Sequence, residues 1–140
     1  MTVGTVFPRT VGMVRVEAPV KVKASTSLSR GDIVALDSTG YAVQAGDTSG
    51  HLVVGICNKD ADNSSGSSGD ITAEIVTGVF HLTTASAAIT DNGDTIHMAS
   101  ANVVAAATGT NTVKVGKQVG FVSATEIIVA IPSGMAAAGL

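Results

Sequence analysis

The sequence predicts a small all-β domain built from two related halves, and three observations support this prediction. Residues 29–38 have an echo 62 residues later in residues 91–100, and each segment contains a Gly-Asp turn followed by a short strand. Runs of Val, Ile and Ala alternate with turns rich in Gly and Asp. No stretch has the period of a helix longer than one or two turns. We therefore expect a compact barrel or sandwich of about ten short strands.

Composition limits the function classes. Charged residues make up 14% of the 140 residues, the net charge is −3, and the only aromatic residues are one Tyr and three Phe. Nucleic-acid binders need a basic stripe and aromatic platforms, and sugar-binding modules depend on exposed rings, of which Tyr41 is the one candidate. No apolar run approaches the length of a membrane span, and the N-terminus lacks the features of a signal peptide. We expect no nucleic-acid partner, no membrane and synthesis in a cytoplasm.

The N-terminal part of the chain predicts an arm followed by a strand. Residues 1–10 contain a Gly, a Pro and small β-formers without a period, so we expect an extended arm. From Met13 onward apolar and charged residues alternate, which is typical of a half-buried strand. The apolar set is Val14, Val16, Val20 and Val22, and the charged set is Arg15, Glu17, Lys21 and Lys23. Pro19 indicates an edge strand or a bulge.

Residues 11–132 are predicted to form one β domain, with repeat halves at about 28–80 and 90–132 and a tail at 133–140. In the first half we expect strands at 33–36, 41–43 and 52–57, an exposed, mobile loop at 58–70, and a hairpin of 71–76 with 79–83 about Thr77-Gly78. In the second half we expect strands at 95–99, 103–107, 113–122 and 126–131. Residues 85–89 fit a helical turn or an irregular segment. The run Val54-Gly55-Ile56-Cys57 is matched to Val119-Gly120-Phe121-Val122.

Motifs for catalysis or metal binding fail on spacing. The loop that begins at Asp60 carries Ser65 and Ile71 where a calcium loop of the EF type needs Gly and Glu. His51, His81 and His97 show no metal-ligand spacing. No nucleophile elbow or phosphate-binding loop is present.

Cysteine and aspartate in the repeat have structural interpretations. The lone Cys57 lies in an apolar run and predicts a buried thiol. Asp32 and Asp94 each follow a glycine in a turn, where hydrogen bonding to the backbone accounts for them. We therefore predict a protein that is not an enzyme, with no catalytic, metal or cofactor-binding residues and no cofactor.

The repeated pattern resembles tailed-phage capsid decoration proteins, also called head cement proteins. The residues that carry the resemblance are the run 31–37, Gly55-Ile56, Gly78, Gly93-Asp94 and Val119-Gly120-Phe121, and it spans roughly residues 10–132. The resemblance implies a β-barrel or β-tulip-like protein on the outside of an assembled icosahedral capsid. It implies a homotrimer that clamps neighbouring major capsid subunits, so that the protein belongs to the virion surface.

The arm supplies the candidate capsid contacts under this interpretation. They are Val3, Val6, Phe7, Pro8 and Arg9. Phe7 is the only large anchor in the arm, Pro8 stiffens it, and the arm could add a strand to a capsid edge. Deletion of residues 1–10 should then abolish binding and leave the domain folded. The alternatives are a fibre-base or surface module that recognises a glycan or host receptor, for instance through the 58–70 loop, and a small hydrolase.

Overall fold

A computed structural model describes residues 7–106 and 112–133, and the predicted all-β class is confirmed. The strands are β1 (Thr10–Val16), β2 (Val20–Lys21), β3 (Thr26–Leu28), β4 (Ile33–Leu36), β5 (Ala42–Gln44), β6 (Leu52–Cys57), β7 (Ala61–Asn63), β8 (Thr72–Ala73), β9 (Ile75–Thr84), β10 (Thr95–Ser100), β11 (Val103–Ala106), β12 (Lys114–Ser123) and β13 (Glu126–Ile131). A 3-10 helix, Ile89–Asp91, precedes β10. It begins where the ambiguous 85–89 segment ends. Within the described ranges no helix has the length and apolarity needed to cross a membrane.

Five strands close into a barrel. Their order is β11-β10-β12-β13-β9, all antiparallel neighbours, and the parallel pairing of β11 with β9 completes the ring. β6, β4 and β5 continue the sheet from the start of β9, and β1 pairs with the opposite edge of β9. Two short ladders, β2 with β8 and β3 with β7, lie outside the main sheet. The parallel contact leaves the barrel without a free edge between β9 and β11.

Buried side chains form two aliphatic clusters. The barrel cluster fills the interior around Phe80, Ile96 and Val129. The first-half cluster, which includes Val34 and Ile75, is formed by β4, β5, β6 and the start of β9 together with residues of β3, β7 and β8. Successive residues of a strand point to opposite faces, so a strand such as β4 contributes to both clusters. This explains why its four residues read as a continuous apolar run.

The predicted repeat is present in the backbone hydrogen bonds. In the first half the N–H of Cys57 donates to the carbonyl oxygen of Asp32 at 2.8 Å, and in the second half Gln118 donates to Asp94 at 3.0 Å. The glycine before each aspartate donates back to the same partner, at 2.8 and 2.7 Å. Equivalent turns therefore attach equivalent strands, β4 to β6 and β10 to β12.

The match of residues 54–57 to 119–122 is wrong. Gly55 pairs with Val34, and Gly116 pairs with Ile96, which is the repeat counterpart of Val34. The counterpart of Val54-Gly55 is therefore Val115-Gly116, four residues earlier than the sequence suggested. β12 contains two Val-Gly pairs, and the strand register, which the sequence does not reveal, selects the first.

The predicted hairpin about Thr77-Gly78 is also wrong, because β9 runs through both residues as one strand. The glycine has a different purpose. A Cβ at Gly78 would lie 3.3 Å from the carbonyl oxygen of Met13 and 3.4 Å from the Cα of Val14, so it permits β1 to cross closely.

Part of the predicted 58–70 loop is ordered strand. β7 pairs with β3, and Asn63 is buried. Its amide donates to the carbonyl oxygens of Val22, Lys23 and Ser67 at 2.9–3.1 Å. The polar composition predicted exposure. Asn63 can be buried because both protons of its side-chain amide have hydrogen-bond acceptors.

The predicted strand of residues 13–23 is divided at Pro19, which lies between β1 and β2. Half-burial is wrong for β1, because all seven of its residues are exposed. Val22, in contrast, is completely buried. The alternation of apolar and charged residues therefore predicts burial correctly after Pro19 but not before it.

Two glycines permit close approach of neighbouring strands, and substitution of one of them should be costly. A Cβ at Gly55 would lie 2.5 Å from the carbonyl oxygen of Val76, and a Cβ at Gly116 would collide with that of Ala130. We expect Gly116→Ala to lower the free energy of unfolding by about 3 kcal/mol or more in urea denaturation. Gly46 has no atom within 4 Å of an added Cβ, so Gly46→Ala is the matched control. Equal stability of both variants would contradict the close approach.

Candidate interaction surface

Strand β1 pairs with β9 at both ends, and a bulge interrupts the register in the middle, where the backbone still lies close to Gly78. Val11 pairs with Val79, and Arg15 pairs with Thr77, so three residues of β1 lie opposite the single residue between those partners. Gly12 takes a φ of +75°, a conformation that favours glycine. The result is a bulge whose central residue, Met13, is 94% exposed.

The outward face of the neighbouring strands continues the apolar character of β1. Val11 lies beside Val79, and Val79 lies beside Ala130 on β13. Ile128 follows on the same face of β13, and its partner on β12 is Gly120. Val119, the unpaired residue just before Gly120, is 55% exposed. We call the set Val11, Met13, Val79, Val119, Ile128 and Ala130 the outer patch. Three of its residues are exposed and the other three, on β9 and β13, are half-buried. A partly exposed apolar surface that extends over several strands is typical of an interaction site.

Charged groups surround the outer patch unequally. Arg9 and Lys117 are exposed next to it, and Arg15 extends from β1 with its Nε 3.4 Å from a carboxylate oxygen of Glu17. Glu17 also accepts a hydrogen bond from the hydroxyl of Thr77 at 2.9 Å. The rim is therefore basic on a chain whose net charge is −3.

One acidic group lies within this face. Glu126 Oε2 is 2.6 Å from His81 Nδ1, and both side chains extend from the outward side of their strands. The carboxylate is consequently engaged inside the domain. The pair gives the apolar surface a polar centre that a partner has to accommodate.

The predicted capsid contacts are placed as follows. Phe7 packs edge-on against Phe80, with ring centroids 6.2 Å apart, and the guanidinium of Arg30 lies 4.3 Å from its ring centroid. Pro8 is half-buried and Arg9 is exposed. Val3 and Val6 lie outside the described residues. The capsid role of all five stays a prediction, but deletion of residues 1–10 would remove a ring that packs on the barrel cluster as well as the arm.

Asp32 acts as the turn residue that the sequence predicted, with an additional partner. Its carboxylate accepts the Ser29 N–H at 2.8 Å and the side-chain amide of Asn102 at 2.9 Å. The amide oxygen of Asn102 accepts the Ile33 N–H at 2.9 Å. Asn102 belongs to the turn after β10 and has a φ of +57°. Sequence reasoning missed it, although an Asn in a tight turn is the usual signal for this conformation.

The aspartates of the predicted loop satisfy backbone donors. Asp60 accepts the Arg30 N–H at 2.8 Å, and Asp62 accepts the Ser64 N–H at 3.0 Å. The Arg30 bond is the main reason that the pKa of Asp60 is lowered, and the Ser64 side chain is the main reason for Asp62. In the ranges 7–106 and 112–133, no group of three or more His, Cys, Asp or Glu side chains could hold a metal ion.

Comparison of the chain with protein-family models, with curated proteins and with solved structures finds no match. The outer patch is therefore interpreted from its own geometry. It offers an apolar area, a basic rim and one internal histidine–carboxylate contact, which suit binding to a protein surface.

His97 is buried, and its burial makes the fold acid-sensitive. It is 7% exposed, and its Nδ1 has no hydrogen-bond partner among the described residues. Burial lowers the pKa of His97 below its ordinary value of 6.5, and Lys114 on β12 lowers it further, while a hydrogen bond with the Thr95 backbone and the charge of Asp47 act in the opposite direction. The folded state therefore binds this proton less readily than the unfolded chain does.

Stability should fall as the pH drops below about 6.5, because the unfolded chain then takes up the proton first. The contribution of one histidine is at most about 1.4 kcal/mol per pH unit. We expect His97→Ala, which installs the residue of the repeat counterpart Ala35, to reduce the loss of unfolding free energy between pH 7 and pH 5. Urea denaturation at both pH values measures this, and an unchanged pH dependence would exclude His97 as the source.

The Cys57 thiol should be inert in the folded protein. It is completely buried and donates to the carbonyl oxygen of Lys59 at 2.9 Å. Burial raises its pKa to about 11, so only about one thiol in a thousand is ionised at pH 8. We expect no reaction with an aromatic disulfide reagent in buffer and one equivalent in urea. Fast reaction of the folded protein would show that the first-half cluster opens readily.

Proposed function

We propose that this chain is a structural virion protein that binds the outside of an assembled phage capsid and stabilises contacts between major capsid subunits. The observation that carries the proposal is the outer patch. Apolar residues on four neighbouring strands lie on the outer face of a closed barrel, and within residues 7–106 and 112–133 no layer covers β1. A rigid surface of this kind binds a partner without a large ordering cost.

The remainder of the domain is consistent with a scaffold that presents this surface. Its conspicuous polar groups, the repeated Gly-Asp turns and Asn63, are occupied with backbone donors and acceptors. The exposed charges are few, and those near the outer patch are mainly basic. Such a surface suits attachment to a larger, acidic protein lattice.

A homotrimer and the N-terminal arm complete the proposal. Several outer patches in one oligomer would bind several capsid subunits at once, so weak individual contacts would combine through effective concentration. Residues 7–9 lead directly into β1, so the arm joins the domain beside the outer patch. An arm at that position could extend the contact along a neighbouring subunit.

The test is binding to shells assembled from the major capsid protein that is encoded with this chain. We expect saturable co-sedimentation with about one copy per capsid subunit, as for a lattice-wide cement. Val119→Asp should reduce binding at least about tenfold, since it buries a charge in the contact. Ile89 is 65% exposed on the 3-10 helix outside the outer patch, so Ile89→Asp is the matched control and should bind normally.

Two results would contradict the proposal. A few copies per particle, or no binding, would exclude lattice decoration and favour the glycan- or receptor-binding alternative. Equal binding by both aspartate variants would place the contact elsewhere on the domain. Urea denaturation of each variant separates these results from a loss of folding.

A further inference from the structure

We propose that Met13 is the anchor of the outer patch, that it fills an apolar socket on the capsid subunit, and that oxidation of its thioether releases the protein from the shell. This inference deepens the proposed function and rests on it. The partner surface is defined by chemistry as an apolar socket with acidic groups around it.

The bulge presents Met13 in a fixed position. Pairing on both sides, by Val11 and by Arg15, attaches the bulge to β9. The backbone at Met13 lies against Gly78, while the side chain is the most exposed of the large apolar side chains in the described part of the chain. A pinned backbone loses little conformational freedom on binding, so the ordering cost is confined to the side chain of Met13.

Methionine suits the role of an anchor in an apolar socket. Its side chain is unbranched and polarisable, so it adapts to an irregular cavity, and its burial there removes apolar surface from water. Anchors of this kind supply most of the binding energy of an interface. Met13 gains nothing comparable inside its own domain, because it is 94% exposed.

The charges near the bulge indicate which charges should surround the socket on the partner surface. Arg9 and Lys117 lie next to the outer patch, while Arg15 is paired with Glu17. The nearby carboxylates, Glu17 and Glu126, already have partners within the domain. Electrostatic complementarity therefore favours a partner surface with carboxylates around the socket.

The same exposure makes Met13 a modification site. Hydrogen peroxide transfers one oxygen atom to the sulfur, so that an S–O bond forms and the O–O bond breaks. The thioether is oxidised by two electrons, and the peroxide is reduced to water. The product, a sulfoxide, is polar and is disfavoured in an apolar socket. Met98 is completely buried in the barrel cluster, and it is the internal control for access of the oxidant.

The experiment treats the full chain with hydrogen peroxide and follows each methionine by peptide mass spectrometry. We expect Met13 to be converted while Met98 stays reduced and the urea denaturation curve is unchanged. Binding of the oxidised protein to shells should weaken about tenfold or more. Rapid oxidation of Met98, or slow oxidation of Met13, would overturn the modification site without reference to shells.

Three variants separate the anchor from its alternatives. Met13→Leu should bind like the wild type and keep that affinity after peroxide treatment, which excludes oxidation of Met1 or Met135 as the cause. Met13→Gln should bind weakly without any oxidant, while Ile89→Gln should bind normally. Full binding by Met13→Gln, or a peroxide effect that persists in Met13→Leu, would refute the anchor while leaving the proposed function intact. If the untreated wild type does not bind shells, the proposed function and this inference fail together.

Discussion

Strand β9 is ten residues long and pairs with four other strands. The positions of these strands, and of the clusters that they bury, therefore depend on the register of β9. β13 and β11 pair with its later part and close the barrel, while β6 pairs with its start and attaches the first half. β1 pairs with the same edge of β9 as β11, opposite β6 and β13. A one-residue shift of β9 would turn Phe80 out of the barrel and move the outer patch inward. The position of the candidate surface is thus decided by the same pairing that fills the core.

The two halves cover equivalent apolar side chains in different ways. Val34 and Ile75 of the first-half cluster have Ile96 and Val129 as their repeat counterparts, and both of these lie in the barrel cluster. In the second half the ring of strands covers this face. In the first half the small ladders of β2 with β8 and β3 with β7 lie beside it. The second half therefore supplies most of the strands of the ring. The first half completes the barrel cluster with one face of its sheet.

Most of the strand architecture could be predicted from the sequence, but little of the exposed surface could. Gly-Asp turns and aliphatic runs have local causes, so the strands at 33–36, 52–57 and 126–131 could be located within their bounds. The continuity of β9 through Gly78 and the register of Gly116 depend on which strand crosses nearby, which is non-local information. The exposure of β1 was hidden because alternating Val and charged residues indicate half-burial wherever they occur. The outer patch combines residues from four strands, and no local pattern marks such a set.

Asn102 connects the halves in a way that bears on how the domain could have arisen. A turn of the second half holds the Asp32 turn and the start of β4 in the first. The barrel interior likewise contains Ile33, Ala35 and Ile56 from the first half. If the chain descends from a duplicated ancestor, that ancestor had neither this clamp nor this shared interior in one copy. The present halves have become mutually dependent, so the domain should unfold in a single step, with neither half able to persist as an independent module.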